Sequence, residues 1–415
     1  MAVVLEPDQI KAIHQMHNGC VVRGGVGVGK TIISLAYYLT KECKDGGTIL
    51  DNGRVQFRDE RGDPKDLIII TTAKKRDNLD WVKEAALFGV GGDRAFSELN
   101  VRLQVDSWNN IDNYAATKGA FFIFDEQRLV GSGAWVKSFY KIAKANGWVL
   151  LSATPADTWM DYIPVFVANG FFKNKTAFTD QHVMWKPFSR YPQVRGFRGE
   201  ARLRELERAL LVDVEYVRTT TRVVDYIDHP WDQEKFNKVW KDRWNVFKDE
   251  PIQTISELFY VLRKVVNSHK SRLESVRTLL EEHPRLIIFY NFKYEVEILK
   301  QLADSIEVKQ WNGQVHDELP DGDRWVYLVQ YTAGSEGWNC VSTDSMVFYS
   351  LTYSYRAFEQ SQGRIDRRNT PFKELHYYVL KSGSFIDKAI LKSLRAKKNF
   401  NARKFVAKTE ISAHF

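Results

Sequence analysis

The stretch Val21-Val22-Arg23-Gly24-Gly25-Val26-Gly27-Val28-Gly29-Lys30-Thr31-Ile32-Ile33-Ser34 puts Gly24, Gly29, Lys30 and Thr31 at the G-x-x-x-x-G-K-[ST] spacing. The valines ahead of it predict a short strand, and the apolar residues behind it predict a helix from Thr31 to about Glu42. Backbone N–H groups can wrap a phosphate chain only where side chains do not block the approach, and Gly24, Gly25, Gly27 and Gly29 remove those side chains. The helix start then turns its partial positive charge on the anion. In such a loop Lys30 reaches the β- and γ-phosphates and the Thr31 hydroxyl ligates Mg²⁺.

Working outward, Gln9 lies on an expected helix that opens at Leu5-Glu6-Pro7 and runs to His17, close enough upstream to read the edge of a base. Downstream, Asn52-Gly53 inside TILDNGRVQF predicts a two-residue hairpin on a surface insertion. Leu67–Thr71, Val101–Val105, Ala120–Phe124 and Trp148–Leu151 are apolar runs separated by helical or loop material. That alternation predicts an open parallel sheet covered on both faces. Asp125 and Glu126 close the FFIF strand, where ligands bind in such sheets. Adjacent acids at that place suit Mg²⁺-assisted hydrolysis, with Asp125 holding the ion through water and Glu126 deprotonating the attacking water. Ser152-Ala153-Thr154 ends the next strand.

From Ala156 to about Asp232 the pattern is irregular, apart from expected helices at Met160–Ala168 and Glu200–Leu211. Between them WKPFSRYPQVRGFRG interleaves aromatics with Lys186, Arg190, Arg195 and Arg198, which suits single-strand contact and an ordinary surface loop equally. Helices are expected at about Gln233–Lys248, Ile252–Ser268 and His269–Glu282. Strand-helix alternation then restarts with Leu286–Tyr290, Trp325–Gln330, Met346–Tyr349 and His376–Leu380 as strands and Tyr294–Ala303 as a helix. This second sheet domain has no phosphate loop of its own. In it Thr332-Ala333-Gly334-Ser335-Glu336-Gly337-Trp338-Asn339 follows a strand, and FEQSQGRIDRR sets Gln360, Gly363, Arg364 and Arg367 in the order Q-x-x-G-R-x-x-R. On a helix Arg364 and Arg367 would face one way, as arginine fingers toward a γ-phosphate.

The bulk properties agree with a basic globular protein. Over 415 residues the net charge is +8, with 44% hydrophobic and 13% aromatic residues, which favours a polyanionic partner without proving one. A basic tail from Arg395 extends the same tendency. Cys20, Cys43 and Cys340 have no metal-ligand spacing and are expected to be buried free thiols. No run approaches the roughly 18 apolar residues of a membrane span. The opening MAVVLEPDQIK lacks a leader's basic start and apolar core, so a cytoplasmic protein is expected.

Taken together these motifs resemble the superfamily 2 helicases and translocases over nearly the whole chain, in that family's order. Gln9 resembles the adenine-reading glutamine, GVGKT motif I, Asp125-Glu126 motif II, Ser152-Ala153-Thr154 motif III, Thr332 to Asn339 motif V, and QSQGRIDR motif VI. Leu79, Trp81 and Glu84 are similar to the L-x-W-x-x-E helix of the Swi/Snf-type branch. The resemblance implies two tandem RecA-like α/β domains, parallel sheets with helices on both faces, and a nucleotide cleft between them. The expected division is residues 1–170, an irregular and helical connection at 171–270, and 271–415.

It implies ATP and Mg²⁺ as cofactors, with Lys30, Asp125, Glu126, Arg364 and Arg367 catalytic and Thr31 and Asp125 on the metal. Gln9, the loop glycines, Gly337 and Gln360 would bind the nucleotide. Ser152, Thr154, Thr332, Trp338 and Asn339 would couple it to nucleic acid. DNA, single- or double-stranded, is the implied partner, replication or recombination proteins are further candidate partners, and a monomer is expected. Two departures stand out: motif II is Asp125-Glu126-Gln127-Arg128 instead of D-E-A-H, and Trp338 replaces the usual leucine before Asn339. The compact chain looks like a phage or bacterial member acting in replication, repair or recombination, in the host cytoplasm if phage-encoded. An RNA helicase and a nucleotide-switched DNA-binding scaffold with little motor activity remain the alternatives.

Overall fold

The computed structural model describes residues 3–25, 27–43, 47–57, 64–91, 101–126, 129, 131–153, 155–156, 158–187, 192–216, 218–334, 338 and 340–406. The chain divides into two units, Met1–Val217 and Arg218–Phe415. In the first, strands β1 (Val21–Arg23), β2 (Leu67–Thr71), β3 (Leu103–Ser107), β4 (Phe121–Asp125), β5 (Gly147–Ser152) and β6 (Leu211–Asp213) form one sheet in the order β6-β1-β5-β4-β2-β3. Every pairing in it is parallel.

The continuous apolar runs explain themselves by strand periodicity, since successive side chains point to opposite faces. Leu67, Ile69, Phe121 and Ile123 enter one core with Ala12, Ile13, Ile33 and Leu35 of the N-terminal helices. Ile68, Ile70, Phe122 and Phe124 enter another with Val136, Phe139 and Ile142 of the helix Ala134–Ala145. Both faces are therefore covered by helices, and a strand between them needs no polar face.

The second unit repeats the build. Strands β7 (Thr221–His229), β8 (Arg285–Tyr290), β9 (Glu307–Trp311), β10 (Trp325–Gln330), β11 (Ser345–Phe348) and β12 (Glu374–Ser382) lie in the order β7-β12-β11-β8-β10-β9. All are parallel. Ile287 and Phe289 face a core with Leu258, Leu262 and Ile386, while Leu286, Ile288 and Tyr290 face one with Val276, Leu279 and Leu299.

Several expectations change. The interval 171–270 is shared out: β6 belongs to the first sheet, and β7 opens the second. The strands β6, β7 and β9 were not expected, and each lies at the edge of its sheet. An edge strand pairs on one side only and keeps polar residues, as the mostly half-exposed TRVVDYIDH of β7 shows. The expected helix Gln233–Lys248 stops at Asp242, followed by the short pairing of Trp244–Asn245 with Glu250–Pro251. The hairpin at Asn52-Gly53 forms, but as a wider turn: Leu50 N–H bonds the Arg54 carbonyl at 3.0 Å and Gly53 takes φ +78°. Its Val55 is buried in the first core, so it is not a mere surface insertion. The three cysteines are free and buried, and burial pushes the Cys20 thiol up to about 12. Among the described residues no helix is long and apolar enough to cross a membrane.

Candidate nucleotide site

Three neighbouring strands of the first sheet release their chemistry at one edge. In register Arg23 of β1 lies opposite Ser152 of β5, and Leu151 lies opposite Asp125 of β4. The loop after β1, the turn after β5 and the acidic pair after β4 therefore leave the sheet side by side. Adjacent strands are about 4.8 Å apart, so the glycine loop and the acids are separated by roughly 10 Å across the sheet. Gly24 N–H donates to the Ser152 carbonyl at 3.3 Å, which ties the loop's start to the buried end of β5.

The loop is closed by its glycines. Gly29 has φ +86°, a left-handed conformation that side chains resist, and a Cβ there would stand 2.3 Å from Gln9 Nε2. At Gly24 a Cβ would come within 2.7 Å of Val28 Cγ2. Lys30 opens the following helix and folds its ammonium back onto the carbonyls of Gly24 (2.7 Å) and Gly25 (2.8 Å), so loop and lysine are already gathered. Thr31 stands half-buried in the first turn. Gly27 is left-handed as well, at φ +86°.

Gln9 is buried beneath this loop. Its Oε1 accepts the Glu6 N–H at 3.0 Å, closing the N-terminus of its own helix, and its Nε2 donates to the Val28 carbonyl at 3.3 Å. The side chain expected to read a base thus braces the loop as well.

Asp125 is 3% exposed, and three donors converge on its Oδ2: Thr71 Oγ1 at 2.8 Å, Lys75 Nζ at 2.8 Å and Trp81 Nε1 at 3.0 Å. Its carbonyl accepts Trp108 Nε1 at 2.9 Å. A buried carboxylate is costly without such partners. Glu126 turns the chain with φ +57°, which costs about 1 kcal/mol for a residue with a side chain, and its Oε1 lies 3.6 Å from Lys75 Nζ. Thr71, Lys75 and Trp108 were not singled out in the sequence. Trp81, noted in the sequence for its place in the L-x-W-x-x-E pattern, is 1% exposed and bonded to the acid, while Leu79 of the same pattern is 52% exposed at φ +59°. Burial raises the carboxyls of Asp80 and Glu84 beside it. Gln127, Arg128 and Thr154 lie outside the described residues.

In the second unit, Thr332 is exposed on the short helix Tyr331–Gly334 that follows β10. Trp338 is half-buried: its indole donates to the Gly334 carbonyl at 2.8 Å and stacks over Phe289, so it packs on the core. Gly337 and Asn339 lie outside the described residues. Gln360 is buried on the helix Tyr355–Gln362. That helix ends before Arg364, so Arg364 and Arg367 sit in the turns beyond it and not on a common helical face.

The turns bring them together in another way. Arg364 is 6% exposed and donates through Nη1 to the Trp338 carbonyl at 2.8 Å, while its own carbonyl accepts Cys340 N–H at 3.0 Å. Burial, and then the Arg364 charge, push the Arg367 guanidinium down to about 9. Asp366 between them turns away to β7, accepting Arg222 Nη2 at 2.7 Å, Arg218 Nε at 3.2 Å and Thr220 Oγ1 at 2.8 Å. Asp366 thus ties this turn to β7, and the Arg364 and Arg367 guanidiniums lie near enough for the Arg364 charge to disfavour that of Arg367.

No family model and no curated protein matches this chain. Among solved structures, the Hef helicase domain of Pyrococcus furiosus covers 93% of this chain and 97% of its own, at 14% identity and a TM-score of 0.52. The SWI2/SNF2 ATPase core of Sulfolobus solfataricus, solved in complex with dsDNA, covers 95% and 91% at 13% identity and a TM-score of 0.42. The likeness to the first is one of fold: two tandem RecA-like units, each a parallel sheet covered by helices.

Proposed function

We propose that this chain is an ATP-dependent DNA translocase or helicase, coupling hydrolysis of the γ-phosphate to movement along or remodelling of DNA in replication, repair or recombination. What supports it most is the gathering, at one edge of one sheet, of a glycine loop with its lysine and a caged acidic pair. The loop fits a nucleotide because Gly24, Gly25, Gly27 and Gly29 carry no side chains to cover its backbone N–H groups, and Lys30 is already gathered onto it. Thr31 and Asp125 are the oxygen donors that would hold Mg²⁺, which would supply positive charge against the phosphates.

The protein's own groups divide the labour. Lys30, now on loop carbonyls, exchanges them for the β- and γ-phosphates. Glu126 accepts the proton of the attacking water, with Lys75 holding its carboxylate in place. Arg364 and Arg367 stabilise charge as the terminal phosphoryl leaves. Gln360 and Gly337 complete the nucleotide contacts, Gln9 fixes the loop's floor, and Ser152, Thr154, Thr332, Trp338 and Asn339 relay its state to the DNA contacts. The testing experiment is ATP hydrolysis by wild type and Glu126→Gln on single-stranded, duplex, forked and four-way DNA and on RNA. DNA stimulates the wild type and not the variant; hydrolysis indifferent to every nucleic acid sinks the proposal, and stimulation by RNA alone replaces DNA as the substrate.

A further inference from the structure

The helix Phe385–Arg395 follows β12 and buries Ile386, Ile390 and Leu394 in the second unit's core. Its opposite side carries Lys388, Lys392 and Arg395, spaced four and three apart and all exposed. The chain then turns: Lys397 takes φ +55°, its N–H donates to the Leu394 carbonyl and the Lys398 N–H to the Ser393 carbonyl, both at 2.9 Å. A helix ending of this kind favours glycine at the left-handed position, yet a lysine stands there. Arg403 and Lys404 add two more exposed cations.

Rings hold this segment in place. Phe400 packs on Tyr353 and Phe259, Phe405 stacks on Phe385, and Phe400 N–H donates to the Tyr353 carbonyl at 2.8 Å. Asn399 Oδ1 accepts the Tyr355 N–H at 2.9 Å. The cations therefore stand on a built surface.

From Lys388 to Val406 the sequence carries seven cations and no carboxylate. Asp387, just before them, is buried on Arg272 and Ser382. Among the described residues none of the seven side chains pairs with a carboxylate, and Arg395 lies over the Tyr226 ring at 4.9 Å. The negative end of the helix accounts for Lys392 and Arg395 in its last turn, but not for Lys388, Arg403 or Lys404. Cations gathered in this way repel one another until a polyanion covers them. Phe400 is buried and Arg395 covers Tyr226, so the surface offers charge without stacking platforms. That suits a duplex, which turns its phosphates outward and keeps its bases stacked.

We propose that the exposed side of the helix Phe385–Arg395 and the segment 396–404 bind the phosphate backbone of duplex DNA. The assignment rests on the translocase reading and adds to it a contact outside the sequence motifs.

The test is fluorescence anisotropy of labelled duplex DNA with nucleotide-free, full-length protein over a range of salt, with a single-stranded oligonucleotide and anionic phosphatidylserine vesicles as parallel arms. Lys388→Gln, Lys392→Gln, Lys398→Gln and Arg403→Gln together weaken duplex binding at least about tenfold and lower the salt slope by up to about 3.6. Lys388→Arg, Lys392→Arg, Lys398→Arg and Arg403→Lys together keep it, because backbone contact needs only the charge. These side chains are exposed, so circular dichroism of both variants should match the wild type. Duplex binding that the glutamine set leaves unchanged, or that the charge-keeping set also loses, overturns this assignment alone. Wild type that binds no nucleic acid overturns it together with the translocase reading. A loss confined to the single strand or to the vesicles overturns duplex DNA as the occupant.

Discussion

The indole N–H of Trp81 donates to Asp125 Oδ2 at 3.0 Å across 44 residues of sequence. A helix side chain buried to 1% exposure therefore serves both the core and the acid at the end of β4. Trp81→Phe keeps the aromatic bulk and removes the donor. Losing one bond to a buried charged group costs about 1–3 kcal/mol, so the urea midpoint falls with the slope unchanged. An unchanged midpoint would show that the bond contributes nothing.

Lys75 is the one cation bonded to Asp125 among the described contacts, and it reaches Glu126 too. Lys75→Gln leaves two acids without it, and their mutual repulsion then favours a cation from solution. Mg²⁺ without nucleotide raises the melting temperature of Lys75→Gln more than that of the wild type. Equal shifts would mean that Lys75 and the ion do not share the acids' charge.

At Gly29 two constraints coincide, the left-handed backbone and the approach of Gln9. Gly29→Ala destabilises through both. Adding Gln9→Ala removes the contact and leaves the backbone part, about 1 kcal/mol. Thermal denaturation of the two single variants and the double variant separates the parts, and strictly additive losses would rule out the contact.

The central strands were legible in the sequence because LIIIT, FFIFD, RLIIFY and WVYLVQ are buried on both faces and carry almost no polar residue. The edge strands β6, β7 and β9 were not, since one-sided pairing leaves sequences such as EVKQW half-exposed and mixed. Motif spacing located Lys30 and Asp125 but not the cage around Asp125. Thr71, Lys75 and Trp81 lie 54, 50 and 44 residues upstream, and only the parallel register of the sheet assembles them. The helix expected for Arg364 and Arg367 ends at Gln362, because Gly363 closes it and the chain turns toward β7.

His229 ends β7, is 4% exposed, and shares a hydrogen bond with Ser271 Oγ at 3.0 Å. Burial, then the Arg272 charge, push its imidazole down to about 4 from the ordinary 6.5. Between those values the unfolded chain binds the proton more readily than the folded one. Stability of the second unit therefore rises with pH from about 4 to 6.5 and is flat above. His229→Gln removes that slope, as denaturant midpoints at acid and neutral pH would record; a slope that survives the substitution assigns it to other groups.

Asp366 holds the turn of Arg364 and Arg367 to β7 through Arg222 and Arg218, and its charge also favours that of Arg367. Asp366→Asn leaves Arg222, 16% exposed, with only the longer Glu359 pair at 4.0 Å and costs about 3 kcal/mol. Arg367→Ala should lower ATP hydrolysis about a thousandfold, with nucleotide affinity little changed. Arg367→Lys does not rescue the rate, because a point charge lacks the planar fork. Chemical denaturation beside single-turnover hydrolysis distinguishes the roles: Arg367→Ala that lowers stability and leaves hydrolysis intact would make Arg367 a structural residue like Asp366.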